Sequence, residues 1–456
     1  MRPSSRNRAW AFALLAVAAV LQAEETPSSW PELKTAWAAE HRKLAAEMLK
    51  TGAFGFADAQ AGLADRLAGP EAEGPASYQA QRAKAKPSDK GWSEADWKAY
   101  EAKRAKLHGK EAKEAADLLA KGGLDEDAAK DAGAWTLRLD PDQAGMRKLR
   151  GEEKLPGLGW LPAEMAAPLK KGLVKVAEAW EKPEARPHPT WKEAYEIPTE
   201  HFLLRTTLPY DRASALAADM EDLVRIWLEI FEGLRSPRFD QRPVVWILAA
   251  KDDYLACVEA NAPEGLGTAK APGTLGFALT NRKSFFYDLK NSKALRGIMF
   301  HELSHLVHYE FSEKADANSR PWSLEGMAVL MEGLEKAKTV DWNAAISVAN
   351  SPKAEYLTGA RKSLIDDPTI ILDMDWKAFY EDHRRELVFA YAHSCGFCHY
   401  LMYAEGGRWR QGALKYLLAI HAGGGEGTFE ACFPGLDRKT LGQKTPPHLK
   451  AMSTLK

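Results

Sequence analysis

The chain has 456 residues, of which 45% are hydrophobic and 27% are charged, and its formal net charge is −1. This apolar content is ordinary for a globular protein with a substantial core, and the length predicts two or three structural units. Because the net charge is close to zero, no overall field draws the protein to nucleic acid or to a membrane surface. Neither is therefore expected as a partner.

The first 23 residues predict an export signal. Arg2, Arg6 and Arg8 form a positive region, residues 9–20 form an apolar core, and Leu21–Ala23 offers a cleavage site. The alternative is an uncleaved membrane anchor, but the apolar run is shorter than the roughly 20 residues that a membrane span needs. We therefore expect a secreted or periplasmic protein with no membrane span.

Residues 24–180 predict a helical N-terminal region. Apolar residues recur at spacings of three and four after Pro31, which suits a first helical turn. The stretch near 69–92 is rich in Gly, Pro, Ala and Lys and predicts a flexible linker or loop. Helical spacing then resumes at Leu169, Leu173, Val176 and Trp180. The region could bind a protein partner, cover an active site as a pro-region, or serve as a spacer.

A domain boundary is predicted at residues 181–193, where three prolines and several charges occur together. The apolar pattern changes after it, and residues 194–425 predict an α+β domain in which a small mixed sheet packs on long helices. We expect strands at 201–208, 244–250 and twice within 274–288, and a long helix at 211–234. Residues 426–456 are expected to form a C-terminal tail.

The segment HELSH, residues 301–305, carries the main chemical signal. Residues four apart in a helix lie on one face about 6 Å apart, so His301 and His305 can direct imidazole nitrogens at one zinc ion. Glu302 is one step round the helix and can reach a water held by the metal. Zinc lowers the pKa of such a water to about 7, and we expect Glu302 to take its proton as the water attacks a peptide carbonyl. The alternative is an ordinary solvated or core helix.

Glu325 is the expected third metal ligand. It lies in the sequence RPWSLEGMAVLMEG, which predicts a second helix that Ser323 can cap. Gly326 and Ala328 are small, as expected where two helices pack closely around a metal. The alternative for Glu325 is a surface carboxylate in a first helical turn, where the helix dipole favours negative charge.

HELSH followed by PWSLEGMA resembles the gluzincin metallopeptidases, and most closely the peptidase MA-like domains of secreted bacterial proteins. The resemblance covers about residues 195–425, including VVWILAA upstream and YAHSCGFCHYLMYAEGG downstream. It implies a zincin-like fold, Zn²⁺ as the cofactor and Glu302 as the general base. The zinc ligands that it implies are His301, His305 and Glu325.

The resemblance also implies groups that contact the substrate. Family members use a Tyr or His to stabilise the oxyanion, and Tyr391 is the matching candidate, with His393 in reserve and a packed aromatic as the alternative. A strand beside the metal pairs with the substrate backbone in zincins, and Gly276, Phe277 and Ala278 lie on the expected strand. The G-x-M-E-N segment with which related aminopeptidases hold a free amine does not occur in the sequence, which favours an endopeptidase.

The four cysteines support a competing hypothesis. Cys395 and Cys398 with His399 spell C-x-x-C-H, the pattern of covalent haem attachment, although the apolar helical spacing around them favours small buried residues. With Cys257 and Cys432 they allow three full disulfide pairings, which the sequence does not separate.

The leading hypothesis is a secreted zinc-dependent peptidase acting on peptides or proteins. Its alternatives are an inactive zinc-stabilised binding module of the same fold and a haem protein.

Overall fold

The computed structural model describes most of the chain after residue 28. The described residues are 29–69, 74–86, 94–183, 188, 190–232, 239, 241–263, 275–279, 281–288, 292–311, 320–332, 334, 367–382, 387–422 and 428–452. The expected export signal lies outside them. Within this part of the chain, none of the helices combines the length and apolarity that crossing a bilayer requires.

The first part of the described chain is helical, as expected. Its helices are α1 (Trp30–Lys50), α2 (Phe54–Ala68), α3 (Gly74–Lys84), α4 (Glu94–Lys121), α5 (Glu126–Leu139) and α6 (Ala144–Leu149). The backbone N–H of Ser29 donates to the Glu32 carboxylate at 2.8 Å, and Pro31 occupies the first turn, so α1 begins at the predicted position. The expected apolar face of α1 is buried, including Trp37 and Met48.

The prediction of a flexible stretch near 69–92 is wrong for its central part, because α3 lies within it. Tertiary contacts hold this helix against α2. The Arg82 guanidinium donates to both carboxylate oxygens of Asp58, at 2.7 and 2.8 Å, and the Tyr78 hydroxyl donates to the same carboxylate. The composition of the stretch is that of a loop, but one buried carboxylate on a neighbouring helix orders it.

The helical prediction is also wrong near the end of the N-terminal region. This part contains β1 (Glu152–Leu155), β2 (Gly159–Pro162), α7 (Ala163–Lys170), β3 (Val174–Val176) and β4 (Ala179–Glu181). Val174 and Val176 are buried on one face of β3 with Lys175 between them, which is the period of a strand. Trp180, expected on a helical face with Val176, is 38% exposed on β4. The spacing of four residues between Val176 and Trp180 therefore does not indicate a helix.

Within the described residues, a seven-stranded mixed sheet crosses the boundary that was predicted at residues 181–193. It contains β3, β4, β5 (Tyr195–Pro198), β6 (Leu203–Thr206), β7 (Val244–Leu248), β8 (Gly276–Leu279) and β9 (Lys283–Tyr287). The strand order is β4-β3-β5-β6-β7-β9-β8, with parallel pairs at β6–β7 and β7–β9 and antiparallel pairs elsewhere. Because β3 pairs with β5, the sheet draws strands from both sides of that boundary.

The helices of this part pack against the sheet or against one another. They are α8 (Tyr210–Ile230), α9 (Lys251–Asn261), α10 (Ser292–Phe311), α11 (Pro321–Glu332), α12 (Leu387–Tyr403), α13 (Arg410–Ala422), α14 (Phe429–Cys432) and α15 (Arg438–Met452). A 3₁₀ helix (Pro368–Asp373) and a π-helical turn (Ala378–Asp382) precede α12. One core includes Leu204 of β6, Trp227 of α8, Phe300 of α10 and Leu401 of α12. The described chain is therefore a mixed α and β structure.

The expected C-terminal tail is wrong for residues 428–452, because α15 packs along α12. His399 Nδ1 of α12 lies 2.9 Å from His448 Nε2 of α15, and His399 is fully buried. Cys398 is also buried, and its thiol lies 3.6 Å from the Ser323 carbonyl oxygen. None of the four cysteines forms a disulfide. The C-x-x-C-H segment thus lies within helix packing, as the small-buried-residue interpretation predicts.

Candidate metal centre

Helix α10 places the two histidines of the HELSH segment side by side. Their ring centroids are 5.0 Å apart, as one helical turn predicts, and each residue is 8% exposed. Apolar neighbours on the helix, including Phe300 and Leu306, are buried, which holds this part of α10 inside the molecule. Two imidazoles that are largely withdrawn from water therefore face one point.

Helix α11, which carries Glu325, packs on α10 and lies very close to α12. A Cβ atom added to Gly326 would lie 2.4 Å from the Ser394 carbonyl oxygen and 2.6 Å from the Cys398 sulfur. No residue larger than glycine fits this approach without movement. The small residue expected between packed helices is thus required next to Glu325.

The ligand atoms of His301, His305 and Glu325 converge. Glu325 Oε2 lies 3.0 Å from His301 Nε2 and 3.7 Å from His305 Nε2, and the three donor atoms all lie within 4.8 Å of one another. Glu325 is 3% exposed, so the surface-carboxylate alternative is wrong. Burial raises the pKa of the Glu325 carboxyl, but His305, His301 and the Tyr380 hydroxyl outweigh it and lower that pKa to about 2. Glu325 is therefore an anion at neutral pH.

The contact with Glu332 indicates which ring nitrogen of His301 carries a hydrogen. His301 Nδ1 lies 2.6 Å from Glu332 Oε1, and an ionised carboxylate only accepts, so Nδ1 carries the hydrogen. His301 Nε2 then faces Glu325 Oε2 at 3.0 Å with either a lone pair or a second proton. Two atoms that both hold lone pairs approach this closely only when a cation or a proton lies between them. The cluster could therefore hold a metal ion, with Glu332 orienting one ligand.

The sequence reasoning missed two residues of this site. Glu332 lies seven residues after Glu325, hence on the same face of α11 two turns later, and this spacing could have revealed it. Tyr380 lies in the π-helical turn, and its hydroxyl donates to Glu325 Oε1. No local pattern links Tyr380 to the HELSH segment, because the chain returns to the site from a distant position.

Tyr391 lies beside the group formed by His301, His305 and Glu325. Its hydroxyl donates to the Tyr380 hydroxyl at 3.4 Å, and its ring centroid is 6.1 Å from that of His301. A chain of hydrogen bonds therefore runs from Tyr391 through Tyr380 to Glu325. His393, the reserve candidate, is two residues further round α12 and packs beside Phe397, and burial lowers its pKa to about 4. Of the two, the structure places Tyr391 beside the cluster.

Glu302 points towards the sheet, where β8 is the edge strand among the described residues. Its Oε2 accepts a hydrogen bond from the backbone N–H of Ala278 at 2.8 Å. Phe277 is buried and stacks on Phe285, with ring centroids 5.4 Å apart. A Cβ on Gly276 would lie 2.3 Å from the Phe286 ring, so this position also requires glycine. The expected general base and the expected substrate strand are therefore in direct contact.

A second group of three possible ligands is explained by ion pairing. Glu200, His201 and Glu221 also lie within 4.8 Å of one another. His201 Nδ1 lies 2.6 Å from Glu221 Oε2, while Glu200 pairs with Arg147 and accepts the backbone N–H of Trp160 at 3.0 Å. These partners account for the charges without a metal.

The helical N-terminal part contacts the residues that follow α12 and those that follow α8. Arg82 donates to the Arg408 carbonyl at 2.7 Å, and Arg104 of α4 donates to Glu232 at 2.8 Å. Arg408 follows the end of α12, and Tyr391 lies near its start; Tyr391 and Tyr403, the last residue of α12, are roughly 18 Å apart along the helix axis at 1.5 Å per residue. The contact of Arg82 with Arg408 therefore attaches α3 beyond the end of α12 that is opposite to Tyr391.

Comparison of the chain with protein-family models, with curated proteins and with solved structures found no match in any of the three.

Proposed function

We propose that this protein is a secreted, zinc-dependent peptidase with a zincin-like fold. The observation that supports this proposal most directly is the buried convergence of His301 Nε2, His305 Nε2 and Glu325 Oε2 beside Glu302. Two imidazole nitrogens and one carboxylate oxygen are a ligand set that Zn²⁺ favours in catalytic sites. Glu332 orients His301 in the manner typical of zinc-bound histidines.

When bound, zinc would polarise the scissile carbonyl and lower the pKa of the attacking water. Glu302 would accept a proton from that water and deliver it to the nitrogen of the leaving amine. Tyr391 would donate its hydroxyl hydrogen to the oxygen that becomes negative in the transition state, and Tyr380 would hold Glu325 in place. Strand β8, which is an edge strand among the described residues, would align the peptide backbone.

An endopeptidase agrees with the sequence better than an aminopeptidase. A substrate held along β8 is bound through its backbone and needs no free terminus. The carboxylate with which related aminopeptidases hold the substrate amine has no counterpart in the sequence. Internal cleavage of peptides or unfolded segments is the activity that we propose.

The alternative is a zinc-stabilised binding module without turnover. The observation that favours it is the hydrogen bond between Glu302 Oε2 and the Ala278 amide, which already engages one oxygen of the expected base. In such a module the metal would only hold α10 and α11 together, and β8 would bind a peptide without cleaving it.

The decisive experiment combines metal analysis with digestion of a broad peptide library read by mass spectrometry. We expect one zinc per chain in the wild type and in Glu302→Gln, and hydrolysis about 10²- to 10⁴-fold slower in the variant, as loss of a general base predicts. Glu325→Gln should lower the zinc content. Zinc in all preparations without any hydrolysis would support the binding module. Equal hydrolysis by the wild type and Glu302→Gln, or a chain that binds no zinc, would refute the peptidase proposal.

A further inference from the structure

The contact between Glu302 and Ala278 joins the expected base to the sheet. Glu302 lies on α10, and its Oε2 accepts the Ala278 N–H at 2.8 Å, a normal hydrogen-bond length. The donor belongs to a backbone whose position is set by pairing, since Ala278 lies opposite Ser284 of β9. A flexible side chain is thus held by a rigid donor.

The alternation of backbone groups along β8 shows why this amide is available. The carbonyls of Leu275 and Leu279 accept hydrogen bonds from Tyr287 and Arg282, at 3.4 and 3.2 Å, on the β9 side. Because backbone groups alternate in direction along a strand, the groups of Gly276 and Ala278 point away from β9, and those of Phe277 point towards it. The Ala278 N–H is therefore an outward group that Glu302 already occupies.

This arrangement fixes the carboxylate of Glu302 through one of its oxygens, because Oε2 accepts the Ala278 N–H. A glutamate side chain has several rotatable bonds, and holding it in one orientation removes an entropic cost from the reaction. The same contact removes the Ala278 N–H from the donors that a bound peptide could use.

We propose that the backbone amide of Ala278 positions Glu302 for proton transfer, and that a peptide substrate pairs with β8 through Gly276 and the Ala278 carbonyl alone. The inference rests on the proposed peptidase function. It makes Ala278 a positioning residue that acts through Glu302. In this proposal Phe277, whose backbone faces β9, does not pair with the substrate.

Proline at position 278 tests the proposal, because it removes the N–H and proline is tolerated in edge strands. Ala278→Pro should retain zinc and lower kcat on short peptides by about 10- to 100-fold, with KM changed less than about threefold. Trp180→Pro, on the opposite edge strand β4, is the control for an edge proline and should leave kcat unchanged. An unchanged kcat in Ala278→Pro would overturn the proposal.

A double-variant cycle separates positioning from general disruption of the site. Once Glu302 is replaced by Gln, the oriented base is gone, so adding Ala278→Pro should slow the residual hydrolysis by less than about twofold. A purely structural effect of the proline would instead slow both backgrounds by the same factor. Equal factors in the two backgrounds would therefore refute the positioning role.

Hydrogen exchange provides a readout that requires neither activity nor a proline. In the wild type the Ala278 amide should be protected although it points out of the edge, and Glu302→Ala should speed its exchange by about tenfold or more. Exchange at Phe277, which faces β9, should stay the same in both. Identical exchange at Ala278 would refute the contact even if the protein is a peptidase. Protection at Ala278 in a protein without hydrolysis would refute the peptidase function while retaining the contact.

Discussion

Replacing Glu332 with Gln should weaken zinc binding by about 10- to 100-fold. The Glu332 carboxylate accepts the His301 Nδ1–H at 2.6 Å, the short length typical of a charge-assisted hydrogen bond. Such a bond contributes about 1.5–3 kcal/mol, and each 1.4 kcal/mol corresponds to a factor of ten in affinity. Glutamine preserves the size of the side chain but removes its charge, so His301 becomes a less basic and less well oriented ligand.

The assay is competition for zinc with a fluorescent chelator of known affinity. The matched control is Glu221→Gln, because His201 Nδ1 lies 2.6 Å from Glu221 Oε2, the same separation as in the His301 pair. Both variants lose a carboxylate–imidazole hydrogen bond, so both should lose some stability. Zinc affinity should fall in Glu332→Gln alone. If the two variants bind zinc equally, or if Glu332→Gln binds like the wild type, the assigned role of Glu332 is wrong.

Two further outcomes concern stability. Gly326→Ala should destabilise the fold by about 1–3 kcal/mol in chemical denaturation, because its Cβ would lie 2.4 Å from the Ser394 carbonyl oxygen. The control is Gly109→Ala in an exposed part of α4, where an added Cβ would have no contact within 4 Å. This control should stabilise the fold by up to about 1 kcal/mol, because alanine favours a helix more than glycine does. An equal change in the free energy of unfolding of the two variants would contradict the close packing of α11 on α12. Burial lowers the pKa of His448 to about 4 from an unfolded value near 6.5, so its contribution to stability is complete above pH 6.5 and is lost as the pH falls towards 4. Between pH 7 and 4, His448→Gln should therefore lose about 3 kcal/mol less stability than the wild type, and parallel curves would refute this.

Much of the candidate site was predictable because its signals are local. The spacing of His301 and His305 is set by one helical turn, and the PWSLEGMA segment identified a second helix carrying Glu325. The strands expected within 201–208 and 244–250 are present because runs of apolar and branched residues are buried in the sheet. For helices and strands whose own residues determine their structure, the sequence was sufficient to predict them.

Other features depend on contacts between distant parts of the chain. Helix α3 is ordered by Asp58 of α2, and β3 becomes a strand because β5 offers it backbone partners, although its residues also fit a helical spacing. Tyr380 reaches Glu325 from a separate turn, and Ala278 reaches Glu302 from the sheet edge. The local sequence determines whether a segment prefers a helix or a strand. A hydrogen bond between elements that are distant in the sequence depends instead on how those elements pack together. Packing therefore decided which groups contact the proposed metal ligands and the proposed base, while the sequence alone predicted those ligands and that base.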